Sequence, residues 1–91
     1  MSQDLHTESL VACPCDYRLK AMGRNDASLS DTVMTIVRKY APDTPIENLE
    51  LKHSKKSRFI SVNVTFYATD IAQIHAIYRE LNAHEAILMT L

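Results

Sequence analysis

An α+β sandwich is predicted, with strands and helices in the order β-α-β-β-α-β, and three observations predict it. Ile60, Val62, Val64 and Phe66 alternate with Ser61, Asn63 and Thr65, with no Gly or Pro between Arg58 and Asp70, which marks a strand with one apolar and one polar face. Two stretches, Leu29–Tyr40 and Ile71–Leu81, carry apolar residues at helical spacing, and each follows a strand. A short run, Ala86–Leu91, closes the chain and is apolar on both faces. Two β-α-β units then interlock through a hairpin, which is the ferredoxin-like arrangement. Right-handed crossovers place both helices on one face of a four-stranded antiparallel sheet, in spatial order 4-1-3-2.

The elements follow in order. Residues 1–13 are polar and weakly patterned, and are expected to form a flexible arm before a single domain over 14–91. Pro14 opens the domain. Tyr17, Leu19 and Ala21 alternate with Asp16, Arg18 and Lys20, giving a first strand over about Cys15–Met22 with Tyr17 and Leu19 facing the core. Gly23, the only glycine, ends it and is expected to supply a backbone angle that other residues resist.

Asp26 or Ser28 can cap the first helix, and Ser28-x-x-Asp31 is a variant of the capping box. Leu29, Val33, Ile36, Val37 and Tyr40 form its buried stripe, Arg38 and Lys39 suit its C-terminal dipole, and Pro42 ends it. Leu49 and Leu51 alternate with polar residues in a charged second strand suited to a sheet edge. Ser54–Ser57 is the hairpin turn. Thr69 or Asp70 caps the second helix, whose stripe is Ile71, Ile74, Ile77, Tyr78 and Leu81, with Gln73, Arg79 and Glu80 outside. The both-sided apolarity of Ala86–Leu91 suggests helices on one side and a partner on the other.

Composition bounds the function. Ninety-one residues make one domain that buries roughly 60–65% of its unfolded surface. A net charge of −1 speaks against a dedicated nucleic-acid binder and favours self-association over strong repulsion. No apolar run reaches the ~20 residues of a membrane span, and Met1–Glu8 lacks the basic and apolar regions of a signal peptide, so a cytoplasmic protein with no membrane association is expected.

In spacing, the chain resembles the YbeD-like family of small uncharacterised bacterial proteins. The residues that carry the resemblance are Pro14, Lys20-Ala-Met-Gly23, Val37 through Tyr40-Ala-Pro42, Ser61-Val62, Ala68-Thr69, Ile71, Gln73, Tyr78, Glu80-Leu81, Met89 and Leu91. It covers about Cys13 to Leu91, and departs at the thiol pair around Pro14 and at Ala27. The resemblance implies a fold similar to the ACT-type regulatory domain of phosphoglycerate dehydrogenase. It implies no catalytic residues, and it carries a suggested regulatory link to lipoate metabolism.

Several candidate sites follow. In ACT domains the first strand-to-helix turn helps to bind a small effector, often an amino acid, so the resemblance points to Gly23, Arg24, Asn25, Asp26 and Ser28 as a ligand-binding loop. A helix start there could offer free N–H groups to a carboxylate. A plain capped turn explains the same residue types. Lys52, His53, Lys55, Lys56 and Arg58 form a basic hairpin that could touch phosphate or an acidic partner, or simply protect an edge.

The polar face of the third strand suits a wet or partner-facing surface. RNA-recognition domains share the topology, but here the first strand offers no outward aromatic and those of the third lie only at its ends, so nucleic-acid binding is the alternative reading. Histidines 6, 53, 75 and 84 are scattered, and Cys13 and Cys15 lack the further ligands of a metal site, so no cofactor is expected. Acylphosphatases also share the topology but need a glycine-rich phosphate loop, and Arg24 alone does not make one. The expected function is that of a small non-enzymatic regulatory or protein-interaction module. It would act by self-association or on a protein partner, with a small-molecule effector at the first loop as a finer expectation.

Overall fold

The computed structural model describes residues 13–54, 56 and 58–91. The expected arm over 1–13 lies outside these residues except for Cys13. Strand β1 is Cys15–Arg24, helix α1 Leu29–Tyr40, β2 Leu49–His53, β3 Phe59–Ala68, α2 Ile71–Ala83 and β4 Ile87–Thr90, with a 3-10 turn at Ile46–Asn48. The sheet is antiparallel throughout, in the order β2-β3-β1-β4, as the interlocked units predict. No helix among the described residues is long and apolar enough to cross a membrane.

The core lies between the helices and one face of the sheet. Leu19 and Ala21 of β1, together with Ile60, Val62, Val64 and Phe66 of β3, meet Leu29, Val33 and Val37 of α1 and Ile77 and Leu81 of α2. Each large side chain buried there contributes roughly 1.5–3 kcal/mol relative to exposure. Met34, which lies beside the expected stripe of α1, is buried as well. Tyr17 is only partly buried, at the rim; its hydroxyl meets that of Tyr78 at 3.1 Å, and Tyr78 donates to the Leu91 carbonyl at 2.8 Å.

One local expectation is corrected, and of the two caps expected for α1 one is made. Gly23 has no positive φ and does not end the strand, because β1 continues to Arg24. Its need for glycine is spatial: a Cβ there would lie 2.5 Å from the Ala86 carbonyl oxygen and 3.0 Å from Leu29 Cδ2. Ser28 makes no capping bond to α1. The cap comes from Asp26, whose Oδ1 accepts from the Ser28 amide at 2.8 Å and the Ser28 hydroxyl at 2.9 Å.

At α2 the cap is Asp70, which accepts from the Gln73 amide at 2.8 Å. Gln73 is not an outside residue. Its Oε1 accepts from the Thr69 amide at 2.6 Å, while its Nε2 donates to the Tyr40 carbonyl at 2.7 Å and ties the start of α2 to the end of α1. Tyr40 in turn donates to Glu80, which also pairs with Lys39 at 2.9 Å.

Candidate functional site

The first-loop candidates and the basic hairpin form one corner of the molecule. Because β1 and β3 run antiparallel, the end of β1 meets the start of β3, and Arg24 stands opposite Phe59. The Asn25 amide donates to the Arg58 carbonyl at 2.9 Å. The hairpin is closed by the Ser54 amide on the Phe59 carbonyl at 3.0 Å and by the Phe59 amide on Ser54 Oγ at 3.2 Å. Lys55, within that expected turn, lies outside the described residues.

Arg24, Asn25, Arg58 and Phe59 line a concavity of about 490 Å³ on this corner. Phe59, 41% exposed, also borders a second concavity, of about 190 Å³, with Lys20, Met22, Lys52 and Ser61. Gly23 is buried beneath the corner, and Asp26 and Ser28 face each other in the cap. The Ser28 amide, which a carboxylate ligand would seek at this helix start, already holds the Asp26 carboxylate. Those bonds, from the Ser28 amide first and its hydroxyl second, keep the Asp26 carboxyl below the usual range.

The outer face of the sheet is not uniformly wet. Ser61 and Asn63 are buried there, with Asn63 only 5% exposed. Arg18 of β1 reaches across β3 to Glu50 of β2 at 2.9 Å, and the register sets this pair over Asn63 and Thr65. Both partners are exposed, so the pair itself contributes roughly 0–1 kcal/mol. The expectation that Ser61 and Asn63 face solvent or a partner is therefore corrected, because neighbouring strands roof them.

Exposed large apolar side chains occur at Ile46, Leu51, Phe59 and Tyr67, and three more are grouped on the β4 side. Leu88, Met89 and Leu91 are 53%, 52% and 64% exposed, while Ile87 is buried against the helices. Met89 stands opposite Met22, and the register shift between Met22 and Gly23 places Leu88 as the extra residue of a bulge. Leu91 continues the ladder by exchanging two backbone bonds with Lys20, at 2.8 and 3.3 Å. The outer edge of β4 carries no charge and no proline, the devices that ordinarily protect an edge strand.

Other chemistry is sparse. Among the described residues, no group of three or more His, Cys, Asp or Glu could hold a metal ion. Cys13 and Cys15 are free thiols. Desolvation first, and then the neighbouring Cys15, push the Cys13 thiol above its ordinary value, which is the reverse of an activated nucleophile. Asp16, Tyr40, Asp43, Tyr67 and Gln73 border a concavity of about 270 Å³ at the end of the sheet opposite the basic corner. No sequence pattern marked that hollow, because its lining comes from β1, β3, both helices and the loop after α1.

Comparison with known proteins decides the family. A protein-family model described as "Protein of unknown function (DUF493)" matches residues 8–91. The chain belongs to the DUF493 family. Its relatives include the UPF0250 protein of Nitrosomonas europaea, 34% identical over 92% of this chain and 97% of that one. The UPF0250 protein of Pseudomonas paraeruginosa is 40% identical over 89% and 88% of the two chains. That of Vibrio cholerae is 30% identical over all of this chain and 97% of its own. The resemblance to YbeD-like proteins drawn from the sequence is borne out.

A solved structure shares this DUF493 fold. The solution structure of protein HP0495 from H. pylori superposes with a TM-score of 0.68 at 19% identity, over 89% of this chain and 85% of that one. At that identity the likeness concerns the fold alone.

Proposed function

We propose that this DUF493 protein is a small interaction module with no chemistry of its own, and that its working surface is the β4 side of the outer sheet face. One observation carries the reading. Leu88, Met89 and Leu91 stand exposed along an edge strand that has no charged side chain and no further strand beside it among the described residues, although the same strand buries Ile87 on its other side. Apolar side chains grouped in this way are a characteristic feature of surfaces that meet another protein. Backbone groups of an edge strand can add directional bonds to an incoming strand.

The reading is tested by affinity capture from cells with wild type and with Leu88→Ser/Met89→Ser, followed by mass spectrometry. The expected result is a partner retained by wild type and lost by the variant, with both proteins equally folded by circular dichroism. A partner held equally by both, or none held by wild type, would remove it. The nucleic-acid alternative is disfavoured by the placement of the outward aromatics. Phe59 and Tyr67 lie eight positions apart on β3, roughly 26 Å, with the roofed Asn63 between them.

A further inference from the structure

The charges of this chain nearly cancel in sum but not in space. Arg24, Lys52, Lys56 and Arg58 are exposed at the corner where β1 ends and β3 begins, and Lys20 lies partly exposed beside them. None of these cations has an ion-pair partner among the described residues, where the salt bridges are Arg18–Glu50 and Lys39–Glu80. The nearest carboxylate in sequence, Asp26, is committed to Ser28. Asp16, Asp43, Glu47 and Asp70 gather at the other end of the sheet. Asp31 in the first turn of α1 and Glu85 just before β4 lie at the same end as Asp26, so among the described residues five cations stand against three carboxylates there.

That corner is also apolar at its centre. Phe59 divides the two concavities, with Arg24 and Arg58 on one side and Lys20 and Lys52 on the other. Met22 lines the second concavity and leads directly to Met89 on the β4 edge. Methionines adapt their shape to varied apolar partners. Guanidinium groups bind carboxylates through paired donors.

We propose that this corner docks an acidic segment of a partner protein, one that carries at least one large apolar side chain between its carboxylates. The apolar side chain seats against Phe59 and Met22, and carboxylates on either side of it reach Arg24 and Arg58 or Lys20 and Lys52. The inference rests on the interaction reading above and specifies the partner's chemistry. Charge complementarity selects this occupant. A second copy meeting corner to corner would bring two clusters of cations into one interface. A nucleic acid would find one stacking ring where it needs a succession of them.

The test is fluorescence anisotropy with a labelled peptide of about a dozen residues, alternating glutamate with leucine, at low salt. Wild type binds it saturably. Arg24→Glu/Arg58→Glu weakens binding at least about tenfold, Phe59→Ser weakens it comparably, and Arg79→Glu on the exposed side of α2 leaves it unchanged. Should the double charge reversal fail to fold, Arg58→Gln alone gives the same direction with a smaller change.

Three results would overturn the proposal. One is no saturable binding by wild type. Another is equal binding by the charge-reversed variant. The third is an oligothymidylate of the same length binding as tightly as the peptide. Failure here, with partner capture still lost in Leu88→Ser/Met89→Ser, removes the acidic character of the partner and leaves the interaction reading standing.

Discussion

The Asn25 amide donates to the Arg58 carbonyl across 2.9 Å, and this bond joins two parts of the chain more than thirty residues apart. It fixes the loop that leads into α1 against the base of the β2–β3 hairpin. Everything that the corner presents, Arg24 and Phe59 above all, is held in place by the β1–β3 ladder below it.

Gly23 supports the same corner through lack of volume. Gly23→Ala places a methyl group 2.5 Å from the Ala86 carbonyl, a backbone atom that cannot swing aside. Backbone entropy alone would favour alanine in a strand. Overpacking wins here, and urea denaturation is expected to show a loss of about 1–3 kcal/mol. An unchanged or improved midpoint would show that β4 shifts freely.

Asp26 makes the start of α1 sensitive to pH. Its folded pKa is depressed, so its stabilisation is present above the ordinary carboxylate range and is lost as pH falls through the folded value. Asp26→Ala is expected to lower Tm near pH 7, with the gap from wild type narrowing as the solution is acidified. Asp26→Asn keeps an acceptor oxygen and should retain much of the Tm while losing that pH dependence. Thermal scans across the acid range measure both effects.

Much of this fold was legible in the sequence, for reasons that particular residues show. Alternation on β3 and the helical stripes depend on local chain geometry alone, so spacing is enough to assign Val62, Val64, Val33 and Ile77 to the core, where all four are buried. Four strands in βαββαβ order leave few ways to interlock. Leu51 alternates as a core residue should, yet it is 42% exposed, because an edge strand reaches beyond the helices that cover the sheet.

What could not be read depends on neighbours distant in the chain. Asn63 looks like a solvent residue until Arg18 and Glu50 close over it from two other strands. Gly23 looks like a turn residue until Ala86 approaches it. The meeting of the first loop with the hairpin was implicit in the antiparallel β1–β3 pairing. The exposed character of Leu88 and Met89 was visible only as apolarity on both faces, and the bulge that turns them outward left no sequence signal.

Tyr78 anchors the end of β4. Its hydroxyl donates to the Leu91 carbonyl, and burial, followed by the Tyr17 hydrogen bond, pushes its pKa well above the ordinary tyrosine value. Tyr78→Phe is expected to cost about 0.5–1.5 kcal/mol. It should also speed amide exchange at Leu91 and Lys20, which bond to each other. Exchange unchanged at those two amides would show that β4 holds without the tyrosine.

Which face of the domain meets another protein can be measured directly, by in-cell photo-crosslinking. A benzoylphenylalanine is placed singly at Met89, at Phe59, and at the exposed helix positions Ala72 and His75. Discrete protein adducts are expected from positions 89 and 59 and none from 72 or 75. Adducts from the helix positions alone, or from none of the four, would contradict a working surface on the outer sheet face.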